Sequence, residues 1–124
     1  MARILVIDDS MFARLNVCNI LKAAGHETME AANGREGLEK ATALRPDCIL
    51  SDLLMPVMDG IGFLTSLKEN NLRLPVIVLT ADIQETKRQQ CLSLGAAGFL
   101  NKPPQKQQLL TMIGDIVGSG GEVR

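Results

Sequence analysis

Five short apolar runs punctuate the chain, and longer stretches with helical spacing separate them. The runs ARILVI (2–7), DCILS (47–51) and PVIVLT (75–80) are dominated by Val, Ile and Leu. Near-continuous apolar runs of this length fit strands covered on both faces of a parallel sheet. HETMEA (26–31), the weakest, and AGFLN (97–101) complete the set of strands. Helix starts are legible between them. Asn33 stands three residues before Glu36, and Asp82 three before Glu85, the spacing of a capping box. Gly25 and Gly95 sit where helices should stop. Val17, Ile20, Leu21 and Ala24 recur at helical spacing and predict the inner face of the first helix. Strict β–α repetition predicts an α/β fold, a five-stranded parallel doubly wound sheet with right-handed crossovers and helices on both faces. Residues 1–118 read as one domain and residues 119–124, in the terminal GSGGEVR, as a flexible tail.

A chain of 124 residues fits one domain with a real core. Its formal charge of −1 speaks against a nucleic-acid surface, which needs a basic stripe. No apolar run approaches membrane-spanning length, and the first residues enter a strand pattern instead of a signal peptide. Cys18, Cys48 and Cys91 are odd in number and far apart, which favours reduced, packed thiols in the cytoplasm over a disulfide framework. With no Trp, no Tyr and three Phe, aromatic stacking has little to draw on.

The chemistry lies at the strand ends. In open α/β sheets the functional crevice opens beyond the carboxyl ends of the strands, where strand order reverses. Asp8 and Asp9 follow the first strand and Asp52 the third; Thr80 ends the fourth; Lys102 and Pro103 follow the fifth. Three carboxylates brought together repel and cannot all stay ionised without counter-charge, and Lys102 supplies one positive charge. A divalent cation supplies the rest, and an all-oxygen site suits Mg²⁺, with Mn²⁺ an alternative. The Met55–Gly60 turn would hold backbone near the metal, with the Leu54 carbonyl as a neutral ligand. An Asp beside Mg²⁺, an ammonium and a hydroxyl is also equipped to become phosphorylated, with the carboxylate as nucleophile. Phosphoryl transfer asks mainly for positioning and for neutralised charge on the transferred oxygens.

Taken together, IDDS (7–10), SDLLMPVMDG (51–60), LTA (79–81) and GFLNKPP (98–104) resemble the receiver domain of bacterial response regulators, of the stand-alone chemotaxis type. The likeness runs from the first strand to the last helix, and motif order and spacing agree. It implies the flavodoxin-like (βα)5 fold with strand order 2-1-3-4-5. It further implies Asp52 as phosphoacceptor, and Asp9, Asp52 and the Leu54 carbonyl as direct Mg²⁺ ligands, with Asp8 acting through water. Thr80 would bond the phosphoryl group and move toward it; Lys102 would pair with a phosphoryl oxygen; the bond before Pro103 would be cis. Phe99 matches the aromatic switch position. Leu54 and Asp82 fall where the family varies the side chains that tune hydrolysis.

The partners implied are a sensor histidine kinase or histidine phosphotransfer protein as phosphohistidine donor, and a downstream protein target reached through the surface of the fourth helix, fifth strand and fifth helix. Phe12, Leu15 and Asn19 offer the donor an outer stripe on the first helix. The chain would act on itself, catalysing its own phosphorylation and dephosphorylation, as a cytoplasmic monomer or one that dimerises on phosphorylation. Neither nucleic acid nor membrane is expected. A receiver cut from a larger regulator and a non-phosphorylated docking module remain alternatives. An aspartate-nucleophile phosphatase would want its second acid two residues after the first, and here the acids are adjacent. A flavodoxin-type carrier would need a Gly/Ser/Thr-rich loop where DDSMFARL stands. His26 and Asp59 read as a loop residue and a cap.

Overall fold

Side chains alternate along each strand, so a strand roofed on both faces feeds two separate cores. The computed structural model describes residues 2–81 and 84–123, with side chains as far as residue 118. Its elements are β1 (Arg3–Ile7), α1 (Met11–Ala23), β2 (Glu27–Ala31), α2 (Gly34–Leu44), β3 (Cys48–Ser51), α3 (Gly60–Glu69), β4 (Val76–Thr80), α4 (Glu85–Ser93), β5 (Gly98–Asn101) and α5 (Lys106–Val123). All strand pairs are parallel, in the order β2-β1-β3-β4-β5. The expected doubly wound (βα)5 sheet is therefore what the chain forms. Ile4 and Val6 of β1 enter a core with Val17, Leu21, Leu109 and Ile113 of α1 and α5. Leu5 and Ile7 enter the opposite core with Phe63, Leu64 and Leu67 of α3.

One sequence expectation is corrected. The buried face of α1 is Val17, Cys18 and Leu21, with Ile20 only half-buried. Ala24 is its exposed C-cap. The chain leaves the helix there because Gly25 takes a left-handed φ of 90° and the Gly25 and His26 N–H groups donate to the Lys22 and Leu21 carbonyls. At the other terminus, the backbone of α5 is helical to Val123.

Other local signals act as read. The Asn33 side chain accepts the Glu36 N–H at 2.9 Å, while Glu36 reaches back to the Ala32 N–H. The Asp59 side chain caps α3 through the Gly62 N–H. The Asp82 cap lies outside the described residues; the N-cap of α4 is Gln84, whose side chain makes no capping bond. His26 sits in the loop before β2, where its Nδ1 accepts the Ala2 N–H. No helix among the described residues is long and apolar enough to cross a membrane.

All three cysteines are buried free thiols. Burial pushes the Cys48 thiol up to about 12 from its usual 9.0. Below pH 9 both folded and unfolded chains hold that proton; between 9 and about 12 only the folded chain does. Stability is therefore expected to fall as pH rises through that window, by about 1.4 kcal/mol per pH unit from Cys48. Urea unfolding at pH 8, 9 and 10 measures it, and a flat profile would contradict a protonated, buried thiol.

Candidate functional site

Strand register assembles the crevice. Ile7 pairs with Ser51, so the residues after them, Asp8 and Asp52, emerge side by side, and the Asp52 N–H donates to the Ile7 carbonyl at 2.9 Å. Thr80 pairs with Asn101, which sets Lys102 beside Thr80, and the Lys102 N–H donates to the Thr80 carbonyl at 2.8 Å. Among the described residues, Asp8, Asp52 and Thr80 are the buried polar residues alongside Ser51. Asp9 lies at the exposed rim.

The Lys102 ammonium bridges the two buried acids, 2.5 Å from Asp8 Oδ2 and 3.0 Å from Asp52 Oδ2. Burial works to lower the lysine's pKa, but hydrogen bonds to Asp8 and Asp52, and their charges, outweigh it and hold it above the usual 10.5. The remaining carboxylate oxygens are also engaged. Asp8 Oδ1 accepts the Ser10 N–H at 2.9 Å, and Asp52 Oδ1 the Leu53 N–H at 2.7 Å. Carboxylate oxygens of Asp8, Asp9 and Asp52 lie within 4.8 Å of one another. Three acids facing one ammonium leave the cluster net negative, and a donor set made only of oxygens fits a hard divalent cation. Ser10, not Asp9, caps α1 by accepting the Ala13 N–H, so capping does not account for Asp9.

The loop from β3 to α3 walls the crevice on one side. Gly60 is fixed there by space: a Cβ would fall 2.6 Å from the Asp52 carbonyl oxygen and 2.8 Å from Leu53 Cα. The Gly60 N–H closes the loop onto the Leu53 carbonyl at 2.8 Å. At its tip Val57 adopts φ 69°, costly for a β-branched residue, with the Met58 N–H donating back to the Pro56 carbonyl at 2.7 Å. The N-terminus of α2 backs the loop, since the Gly34 N–H donates to the Met58 carbonyl at 3.0 Å. A Cβ on Gly34 would stand 2.3 Å from that carbonyl oxygen. Leu54 is 57% exposed at the crevice mouth.

The remaining expected positions fall as follows. The Lys102–Pro103 bond is cis. Phe99 is half-buried, packed against the core that holds Phe63 and Leu64. Phe12 and Leu15 are exposed, 86% and 44%, and Asn19 is exposed beside them. Phe12 borders a groove of about 330 Å³ that Asn16, Pro103 and Pro104 also line. One residue at the site escaped the sequence reading. Arg14 donates from a terminal guanidinium nitrogen to the Asp8 carbonyl at 2.6 Å and from Nε to Glu30 at 2.8 Å. These contacts join positions 6 and 16 residues apart, and no motif marks them.

The model of the response regulator receiver domain matches residues 4–114. Chemotaxis protein CheY of Halobacterium salinarum is 33% identical, the alignment covering 93% of this chain and 96% of that protein. A protein-glutamate methylesterase/protein-glutamine glutaminase of Archaeoglobus fulgidus is 42% identical over 82% of this chain, which spans only 30% of that protein's length. The solved structure of Vibrio cholerae chemotaxis protein CheY4 superimposes with a TM-score of 0.86 at 37% identity, covering 94% of this chain and 98% of that one. The chain belongs to the receiver domains of two-component response regulators, a family of phosphorylation-controlled signalling switches.

Proposed function

We propose that this receiver accepts a phosphoryl group on Asp52 from a phosphohistidine donor, with Mg²⁺, and that the change at the crevice controls a protein partner. The observation that supports this most is the bridging of Asp8 and Asp52 by Lys102 beside Asp9, in a chain of this family. An Asp52 carboxylate oxygen attacks phosphorus, the phosphorus–nitrogen bond breaks, and the imidazole leaves, taking up a proton from solvent. Asp9, Asp52 and the Leu54 carbonyl would hold the cation directly and Asp8 through water, and bound there it would supply positive charge to offset that on the transferred oxygens. Lys102 turns from the Asp52 carboxylate to a phosphoryl oxygen, exchanging one charge-assisted hydrogen bond for another. Thr80 moves to bond the phosphoryl group, and Phe99 fills the space it leaves. The surface of α4, β5 and α5 shifts with them, as a biased two-state equilibrium.

Intact mass after incubation with a small acyl-phosphate donor, with and without Mg²⁺, tests the reading. The expected result is a gain of one phosphoryl group that requires the metal. No gain under any condition would overturn it in favour of a docking module.

The donor docks over the crevice against Phe12 and Leu15. Charged substitutions there are expected to slow transfer from a phosphohistidine donor at least several-fold while leaving uptake from the small donor unchanged. Equal slowing with both donors would place the defect in the chemistry and not in docking.

A further inference from the structure

Asp8 is held on every side: its N–H donates to the Ala31 carbonyl at 3.0 Å, Oδ1 accepts the Ser10 N–H, and Oδ2 accepts from Lys102. Asp9, the next residue, has no such support. Its carboxylate is exposed and makes no hydrogen bond or ion pair among the described residues. Only the backbone can aim it. The peptide joining Asp8 to Asp9 is planar, so the direction of the Asp8 carbonyl sets where the Asp9 N–H and Cα stand. That carbonyl is gripped by Arg14 at 2.6 Å. Arg14 is itself fixed, because Nε pairs with Glu30 at 2.8 Å and the side chain is 14% exposed. Glu30 lies on β2, a strand that places no side chain in the acidic cluster.

We infer that Arg14 is a positioning residue, which by holding the Asp8 carbonyl against β2 aims the Asp9 carboxylate at the cation. The inference rests on the Mg²⁺ reading proposed above. Groups that orient metal ligands from behind characteristically change affinity 10–100-fold when removed. Arg14 offers a sharper test than most, because its charge pulls the other way. Deleting a cation beside a cation site should tighten metal binding if charge alone mattered. Positioning predicts the opposite sign.

The experiment is calorimetric titration of MgCl₂ into the unphosphorylated protein, native and Arg14→Met, with circular dichroism to establish that both are folded. Arg14→Met is expected to bind Mg²⁺ about 10-fold more weakly. The Mg²⁺ concentration for half-maximal phosphoryl uptake should rise in step, with uptake at saturating Mg²⁺ nearly restored. Native or tighter affinity in Arg14→Met would overturn the inference. If that variant does not fold, Arg14→Lys, which keeps the charge but loses the fork, takes the same test with the same expected sign. Absence of Mg²⁺ binding by the native protein would instead overturn the Mg²⁺ reading itself, and the inference with it.

Discussion

Asp52→Asn is expected to remove phosphoryl uptake completely, because no other carboxylate is placed to replace it. Asp8 is locked between the Ser10 N–H and Lys102, and Asp9 stands at the exposed rim. An amide is isosteric with the carboxylate but is not a nucleophile at phosphorus. The substitution should also leave the fold intact. Asn keeps an oxygen to accept the Leu53 N–H, and Lys102 keeps its 2.5 Å contact with Asp8. It removes one of three mutually repelling charges, so metal-free stability should hold or rise slightly. Two measurements check this: intact mass after the acyl-phosphate incubation, and urea unfolding without divalent ions. Mass gain in the variant at the native rate would reassign the acceptor. Loss of uptake accompanied by unfolding would say nothing about chemistry, which is why both are needed.

Lys102→Met carries the second large effect, and here stability moves most. It strips two nearly buried carboxylates, Asp8 at 4% and Asp52 at 8% exposure, of their shared counter-charge. Removing one partner of a buried ion pair leaves uncompensated charge, and about 3 kcal/mol of stability should be lost at neutral pH without metal. Added Mg²⁺ should recover part of it, since a divalent cation offsets the same charges. The pH dependence has a definite sign. The folded pKa of Lys102 lies above 10.5, so pairing contributes fully below that pH and is lost as pH rises through the folded value. The gap between native and variant should therefore be widest at neutral pH and narrow in strong alkali. Equal stability of the two at neutral pH would mean that water, not Lys102, compensates the acids.

The strands were legible to within a residue. Each predicted run begins one position before the observed strand, at Ala2, His26, Asp47, Pro75 or Ala97, and ends where the strand ends. The early starts have a physical basis: the Asp47 and Ala97 N–H groups already donate to the neighbouring strand. Apolar runs carried this information because both faces of the sheet are buried. The acidic crevice was legible because topology, once known, sends successive strand ends to one place. What stayed hidden depends on long-range fit. Cys18 belongs to the inner face and Ala24 does not, because the helix ends at Ala23 and Gly25 turns the chain away immediately after the Ala24 cap. Ser10 rather than Asp9 took the cap, a choice between two good capping residues that local preference does not decide. The contacts of Arg14 span 6 and 16 positions and leave no periodic trace.

The close seating of Gly34 under the Met58 carbonyl bears on how this sequence tolerates variation. Position 34 opens a helix, where alanine is normally welcome. In a randomised library sorted for phosphoryl uptake, alanine should nevertheless be purged there, along with every residue bearing a Cβ. A survivor would have to carry a second change that lets the Met58 segment retreat. The pattern of such paired survivors would map, from growth and sequencing alone, how far the loop carrying Leu54 can withdraw before the switch stops working.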